Sequence, residues 1–434
     1  MDLLYARWQM GLSLAFHIIF AVIGMAMPVM MVAAEAAWLR TGRPEYLDLA
    51  RRWARGTAIL FAVGAVSGTV LSFELGLLWP AFMEFAGPLI GMPFSLEGFA
   101  FFLEAIFLGL YLYGWNRIGP RTHLLSGVLV CLGGALSGAF VVTANAWMNT
   151  PAGFRLVDGR VTDVDPIAAM FNSAAGAQVV HMLLAAYAAV GVGVAGIHAR
   201  LLLRDSDNLF HRRACAIALA VGLPSAFFMP LSGDWAGKVV ARTQPAKLAA
   251  LEGQFATQTY APLRLGGIPD VGARETRYAI EIPGGLSILA HGDPAARVIG
   301  LNDIPRELWP PVAAVHMAFQ VMVGIGTWLA ALAVWAAVLW WRKRLFQSRL
   351  FLRAAAFSTV LGFIALEAGW MVTELGRQPW VIHGVMKTSD AVTPMPGLVV
   401  PFVLFTVIYV VLAAVVIGLI RRTVRETVPK RSDA

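Results

Sequence analysis

Two carboxylates near the end of the chain are the residues whose spacing most clearly suggests chemistry. Glu367 and Glu374 close an apolar run over 354–374 and are seven residues apart. At about 100° per residue they share one face of a helix. A carboxylate within hydrocarbon is costly enough that a functional role is the first hypothesis.

The residues that follow the second acid could build a binding site. The helix is predicted to end near Gly376, so Arg377 can fold back toward Glu374, with Trp370 and Trp380 as flat walls. An acid, a guanidinium and aromatic faces around one helix end could hold a planar anionic cofactor. The alternative is a charge-paired helix terminus at a membrane surface, and the spacing leaves both interpretations open.

A second acidic pair has the same spacing. Glu97 and Glu104 are again seven residues apart, so on one helix they share a face and differ in depth by about 10 Å. A row of acids descending into a membrane favours proton movement. A paired structural carboxylate is the alternative.

Three further side chains within apolar runs are candidate metal ligands: His17, His181 and Met322. A buried histidine can also be a hydrogen-bonded core residue, and any one of 17 methionines can serve packing alone. Asn145 joins the cofactor-binding candidates, although small polar residues also commonly connect membrane helices.

The elements that must position these residues are membrane helices. Hydrophobic residues make up 58% of the 434 positions and charged residues 14%, which predicts an all-α, polytopic membrane helical bundle. Nine apolar runs are long enough to span a bilayer: 12–39, 56–79, 96–115, 124–147, 174–203, 214–231, 311–341, 354–374 and 395–420.

Arginine and lysine predict the orientation of these helices. Alternate connections are rich in them, beginning with the first loop and ending with the C-terminus. The positive-inside rule therefore predicts an N-terminus outside and a C-terminus inside. The net charge of +8 is concentrated in the predicted cytoplasmic connections, which face anionic lipid, so it indicates no nucleic-acid partner.

One long polar segment interrupts the helices. Residues 232–309 are too polar to enter the bilayer and too long for a connector, so we predict an extracytoplasmic functional loop, which we call the outer loop. The whole chain, 1–434, is predicted to be a single domain. Cys131 and Cys215 have no C-x-x-C neighbour and are predicted to be core residues.

The predicted topology places the candidate ligands at a common depth. His17, Glu97, His181, Met322 and Glu374 come from five helices of both directions, yet all fall in the outer half of the membrane. Imidazole, thioether and carboxylate groups at one level are suited to haem iron.

The run Glu374-Leu-Gly-Arg377-Gln-Pro-Trp380, preceded by Gly369-Trp370, resembles the signature of subunit I of the cytochrome bd family of quinol-oxidising terminal oxidases. The resemblance covers essentially the whole chain. It implies His181 and Met322 as ligands of a low-spin haem b. It also implies His17 and Glu374 as ligands of a high-spin haem b and of haem d, or of a further haem b in its place.

The same resemblance implies the catalytic residues. Glu97 and Glu104, with Ser137, match proton-path positions, and Lys247 and Glu252 match the quinol-oxidation motif of the outer loop. Arg377 would lie beside the ligand acid. The implied function is oxidation of quinol outside, reduction of O2 to water through three haems, and a proton gradient by charge separation.

Three departures from the family pattern stand out. The helix 3 acids are seven residues apart where eight is frequent, and Gln320 replaces a frequent arginine two positions before the methionine. The outer loop lacks a long C-terminal extension, which is typical of the short quinol-loop class and close to the cyanide-insensitive branch.

The implied partners are subunit II, a small single-span subunit as an optional addition, membrane lipid, quinol and O2, in the inner membrane of a bacterium. Two other functions stay open. A haem-free proton-coupled transporter would use Glu97, Glu104 and Glu367, although the sequence has no internal repeat. A haem-binding paralogue would carry electrons without reducing O2.

Overall fold

The computed structural model describes residues 1–425, and their backbone is mainly helical. The longer helices are α1 (Asp2–Thr41), α2 (Pro44–Leu78), α3 (Pro80–Tyr113), α4 (Pro120–Asn149), α6 (Ala175–Leu202), α7 (Leu209–Thr243), α10 (Val312–Trp341), α12 (Leu361–Arg377) and α14 (Val399–Arg425). The shorter ones are α5 (Pro166–Met170), α8 (Pro245–Glu252), α9 (Gly285–His291), α11 (Arg349–Phe357) and α13 (Thr388–Ala391).

Three antiparallel strand pairs lie between the helices. They are β1 (Arg155–Val157) with β2 (Arg160–Thr162), β3 (Leu263–Asp270) with β4 (Glu275–Ile282), and β5 (Trp380–Ile382) with β6 (Met386–Lys387). The pair β3–β4 is the longest, with Leu263 opposite Ile282 and Asp270 opposite Glu275.

The prediction of nine membrane helices is confirmed. Within residues 1–425, nine helical segments are long and apolar enough to cross a membrane, with α11 and α12 together forming the eighth, Arg349–Arg377. Many helices begin at a proline, whose fixed φ and missing N–H suit the first helical position. The orientation of the termini stays a prediction.

Several helices extend further than the apolar runs. α7 continues to Thr243, so the first part of the predicted loop 232–309 is helical. In this extension Lys238 Nζ lies 2.6 Å from Asp234 Oδ2, an i,i+4 ion pair that favours helix although it lowers the hydropathy.

Contacts divide the chain into two compact units. Within the described residues, one contains 1–83, 102–134 and 392–425, and the other contains 84–101 and 135–391. His17 and Glu104 belong to the first unit, whereas Glu97, His181, Met322 and Glu374 belong to the second. The predicted common depth of these side chains and the single domain over 1–434 stay predictions.

In the second unit the outer loop is anchored to membrane helices. α8 buries Ala249, Ala250 and Leu251 in a core that includes Val315 of α10 and Val372 of α12. This core holds α8 against the end of α12, where Glu374 lies.

The hairpin β3–β4 is joined to α10 by polar contacts. Gln320 donates from Nε2 to Arg264 O and accepts from Gly266 N, both at 3.0 Å. His316 has Nδ1 at 2.8 Å from Leu251 O and Nε2 at 3.2 Å from Gly266 O. The glutamine that departs from the family pattern therefore fastens the loop, and an arginine could not accept the Gly266 N–H.

Candidate functional site

The end of α12 carries a fully engaged carboxylate. Glu374 Oε1 accepts from Asn145 Nδ2 at 2.5 Å, and Oε2 accepts from Arg377 Nη2 at 2.6 Å. The fold-back of Arg377 is the contact that its i,i+3 spacing predicts. Arg377 is 2% exposed, and its Nε and Nη1 have no partner among the described residues. Two buried donors are thus available to an acceptor.

A hydrogen-bond network connects this acid to the outer loop. Lys247 of α8 donates from Nζ to Asn149 Oδ1 at 3.0 Å and to Thr373 O at 3.2 Å. Asn149 Nδ2 in turn lies 3.2 Å from Asn145 Oδ1, next to the amide that bonds Glu374. Lys247 is therefore buried and points toward α12.

Burial controls the protonation of Lys247. Its side chain is enclosed, and desolvation together with the positive charge of Arg377 lowers the pKa of Lys247 to about 7, against the opposing effect of Glu374. The pKa of His383 is also lowered, first by burial and then by the charges of Lys247 and Arg377. Near pH 7 Lys247 therefore exchanges readily between its charged and neutral forms, and His383 is mainly neutral.

A cavity of about 90 Å³ adjoins these donors. It is lined by Gln244, Ala246, Lys247, Ile304, Leu308, Pro310, Gly376, Arg377, Gln378, Trp380 and His383. His383 Nδ1 is buried without a partner among the described residues. Trp370 is half-buried one turn before Glu374, outside this lining. The donors suit a carboxylate or another small anionic group.

Gly376 leaves room for the lysine. A Cβ built on Gly376 would lie 2.9 Å from Lys247 Cε and 3.0 Å from Cγ. These are methylene carbons within a packed site, so they have little freedom to move. The glycine of the Glu-Leu-Gly-Arg run therefore permits the lysine to reach Asn149.

We expect Gly376→Ala to lower stability and to detach Lys247. Alanine ordinarily favours a helix interior over glycine by about 1 kcal/mol, but overpacking at this contact costs about 1–3 kcal/mol. Thermal unfolding of the purified protein checks the sign. Gly324→Ala on α10 is the control, because a Cβ there meets nothing within 4 Å. Equal or higher stability of Gly376→Ala would contradict this packing.

The second candidate of the loop motif, Glu252, is also buried. It ends α8, is 1% exposed, and its Oε2 has no partner within the described chain. Burial raises the pKa of Glu252 to about 7, although the charge of Arg264 opposes the shift. A carboxylate with a pKa near neutrality is suited to accept and release protons.

The histidine candidates each contact a serine of a neighbouring helix. His181 Nδ1 lies 3.0 Å from Ser232 Oγ, and His17 Nδ1 lies 3.0 Å from Ser67 Oγ. In the described chain Nε2 of each ring has no hydrogen-bond partner. Met322 packs against Gly369 of α12, because a Cβ built on that glycine would lie 3.1 Å from Met322 Sδ. Each candidate thus keeps a donor atom for a ligand-binding role.

The acids of α3 differ in their surroundings. Glu97 Oε1 accepts from Ser137 Oγ of α4 at 3.2 Å, a contact within the second unit. Glu104, in the first unit, is buried, and its Oε1 would lie 3.2 Å from a Cβ on Gly134. The serine suggested by sequence therefore contacts Glu97.

Sequence reasoning missed two buried acids. Glu35 lies 2.8 Å from His123 Nδ1, and Glu74 accepts from Gln9 at 3.0 Å and Ser13 at 2.9 Å. Both acids fall within predicted spans, so the cost of a charge in hydrocarbon was the signal that could have found them. The contacts of Ser67 and Ser232 with the two histidines had no such signal, because lone serines are common in membrane helices.

The chain is similar to known proteins along nearly its whole length. The family described as cytochrome bd terminal oxidase subunit I matches residues 5–428. A putative cytochrome bd menaquinol oxidase subunit I of Bacillus subtilis (strain 168) is 38% identical over 427 residues, 96% of this chain and 95% of that one. A cytochrome bd ubiquinol oxidase subunit 1 of the same organism is 30% identical, over 98% of this chain and 94% of that one. The solved bd oxidase of Geobacillus thermodenitrificans has a TM-score of 0.91 at 40% identity, covering 98% of this chain and 99% of its own.

Proposed function

Because the chain belongs to the family of cytochrome bd terminal oxidase subunit I, we propose that it oxidises quinol, reduces O2 to water and generates a proton gradient by charge separation. The observation that carries the proposal is the network from Lys247 to Glu374. It joins the loop motif that resembles a quinol site to the acid that resembles an iron ligand.

The donor set fits haem as the cofactor. His181 and Met322 would hold a low-spin haem b, and His17 and Glu374 would hold a high-spin haem b and a haem d, or a further haem b. Support comes from the free Nε2 of both histidines and from the two unpartnered donors of Arg377, which suit a haem propionate. Bound haem would supply one-electron chemistry and an open iron position for O2.

Two loop residues would handle the quinol. Glu252 would accept a hydroxyl proton, because its raised pKa makes it an effective base near neutral pH. Lys247 would fix the positions of Asn149 and of the end of α12 relative to the loop, through its hydrogen bonds to Asn149 Oδ1 and Thr373 O. The pathway for substrate protons would include Glu104 and then Glu97 with Ser137, since a buried acid can take up and pass on a proton.

We expect quinol oxidation to increase as the pH rises through about 7. Below that value Glu252 is protonated and cannot act as a base, and above it the carboxylate form predominates. Glu252→Gln should lower kcat/KM about 10- to 100-fold above pH 7 and abolish the rise. The measurement is the rate with a short-chain quinol on both sides of pH 7.

The matched control is Glu307→Gln, which removes an exposed acid of the same loop. It should keep the pH-dependent rise. Haem content should be unchanged in both variants. A Glu252→Gln protein with the native pH profile would refute the assignment of the base, and haem loss would indicate a structural role.

The chain is a multi-pass membrane protein. As a subunit I it implies a subunit II partner. We propose the cytoplasmic (inner) membrane of a bacterium as its location, with a small single-span subunit as a further partner. Lipid would cover its remaining helix faces.

Two measurements on the purified complex test the function. A reduced-minus-oxidised spectrum with pigment extraction should reveal bound haem, and its absence would favour the haem-free transporter. Oxygen uptake with a short-chain quinol should be haem-dependent. Haem signals without oxygen uptake would favour the electron-carrying paralogue. The pigment extraction also distinguishes haem d from haem b.

A further inference from the structure

Two histidines in different units have the same local surroundings. His17 of α1 meets Ser67-Gly68 of α2, and His181 of α6 meets Ser232-Gly233 of α7. In both cases the histidine Nδ1 lies 3.0 Å from the serine Oγ. The repetition on unrelated helix pairs indicates a common requirement on the imidazole ring.

The direction of each hydrogen bond follows from the serine. Ser67 Oγ donates to Val63 O at 2.9 Å or to Gly64 O at 3.1 Å, and Ser232 Oγ donates to Met229 O at 2.9 Å. A hydroxyl has one proton, so once it is committed to a backbone carbonyl the oxygen can only accept from the ring. With the hydroxyl proton directed to a carbonyl, Nδ1 is the protonated nitrogen of a neutral imidazole, and Nε2 keeps its lone pair.

A glycine lies beside each ring, and the one beside His17 is needed for space. A Cβ on Gly68 would lie 2.9 Å from His17 Cε1, which is too close for a side chain. A Cβ on Gly233 would lie 3.7 Å from His181 Cε1, which is an ordinary contact. The ring of His17 is thus confined more tightly than that of His181.

We infer that Ser67 and Ser232 are positioning residues that lock His17 and His181 in the Nδ1–H tautomer and aim Nε2 at bound iron. The inference rests on the proposed function and deepens it. A ligand histidine commonly donates its other ring N–H to an acceptor that fixes the ring and increases its basicity. Here the acceptor is a hydroxyl that is itself fixed by its own helix.

The two serines should act on affinity and on redox behaviour. Without the hydroxyl, the buried imidazole can shift its proton to Nε2 and lose its ligand lone pair. Loss of such a partner typically weakens binding of the metal group about 10- to 100-fold. A less basic histidine also stabilises ferric iron less, so the midpoint potential should rise.

The test compares Ser232→Ala with Ser232→Thr and Ser225→Ala in the whole complex. Threonine keeps the hydroxyl and should retain the native properties. Ser225 lies on the same helix and donates to Val221 O at 3.1 Å without contacting a histidine. Its removal should change neither haem content nor potential. For Ser67→Ala the control is Ser72→Ala, because among residues 1–425 the Ser72 hydroxyl donates only to Gly68 O on the same helix.

The readouts are haem stoichiometry by extraction, midpoint potential by optical titration and, for Ser67→Ala, the iron–histidine stretching band in resonance Raman spectra. We expect about 10-fold weaker haem retention, a raised potential and a lowered stretching frequency. Native values in both Ser→Ala variants would overturn the inference while leaving the proposed function intact, and so would equal losses in Ser225→Ala. A haem-free native complex would overturn both.

Discussion

Replacement of Glu374 with alanine is expected to remove one high-spin haem and to reduce oxygen uptake more than about 100-fold. Loss of a residue that merely supports a ligand costs about 10- to 100-fold, so loss of the ligand itself should exceed that. The substitution also leaves Asn145 and Arg377 without their acceptor. Haem extraction and oxygen uptake on the same preparation measure the two effects.

Glu367→Gln separates a ligand defect from a general defect of α12. Glu367 is half-buried on the same helix, seven residues before Glu374, and its Oε1 is buried without a partner in the described chain. Its substitution removes an acid while keeping the shape, so both high-spin haems should remain. If Glu374→Ala keeps both while Glu367→Gln loses one, the ligand is the inner acid, two turns away.

The second large effect is expected at the low-spin haem. His181→Ala or Met322→Ala should each abolish the low-spin signal and quinol oxidation, because a six-coordinate iron cannot keep its spin state without an axial ligand. The reduced-minus-oxidised spectrum and the steady-state rate of quinol oxidation are the measurements.

Met317→Ala is the control for the methionine. Met317 lies on α10 five residues before Met322 and is exposed, so its removal should leave the spectrum unchanged. A complete low-spin spectrum in both the His181 and the Met322 variants would exclude the pair as ligands. Equal loss in Met317→Ala would indicate a defect of the helix and not of ligation.

Local contacts of the site could be predicted from sequence, and distant ones could not. The Glu374–Arg377 pair spans three residues of one helix, so helical geometry alone brings the side chains together. Lys247 and Asn149 are 98 residues apart, and their contact depends on how α8 packs against α4 and α12. The sequence therefore indicated Lys247 as a candidate but did not indicate the direction of its side chain.

Helix boundaries show a similar limit. Hydropathy detects the part of a helix that suits hydrocarbon, whereas helix formation continues wherever the backbone finds local support. α7 extends to Thr243 through the Asp234–Lys238 pair and carries Lys238 and Arg242 beyond the apolar run. The number and order of the spans were predicted correctly, but the end of the span that corresponds to α7 was predicted too early.

The burial of α8 limits how the outer loop can open. Every residue from Lys247 to Glu252 is buried, and the middle of the helix shares a core with α10 and α12. Local opening of α8 would therefore require a free energy close to that of separating those membrane helices. Strand β4 is mostly exposed and has less packing to lose. We therefore expect the amides of β4 to exchange hydrogen faster than those of α8, which should exchange as slowly as the helices that enclose it.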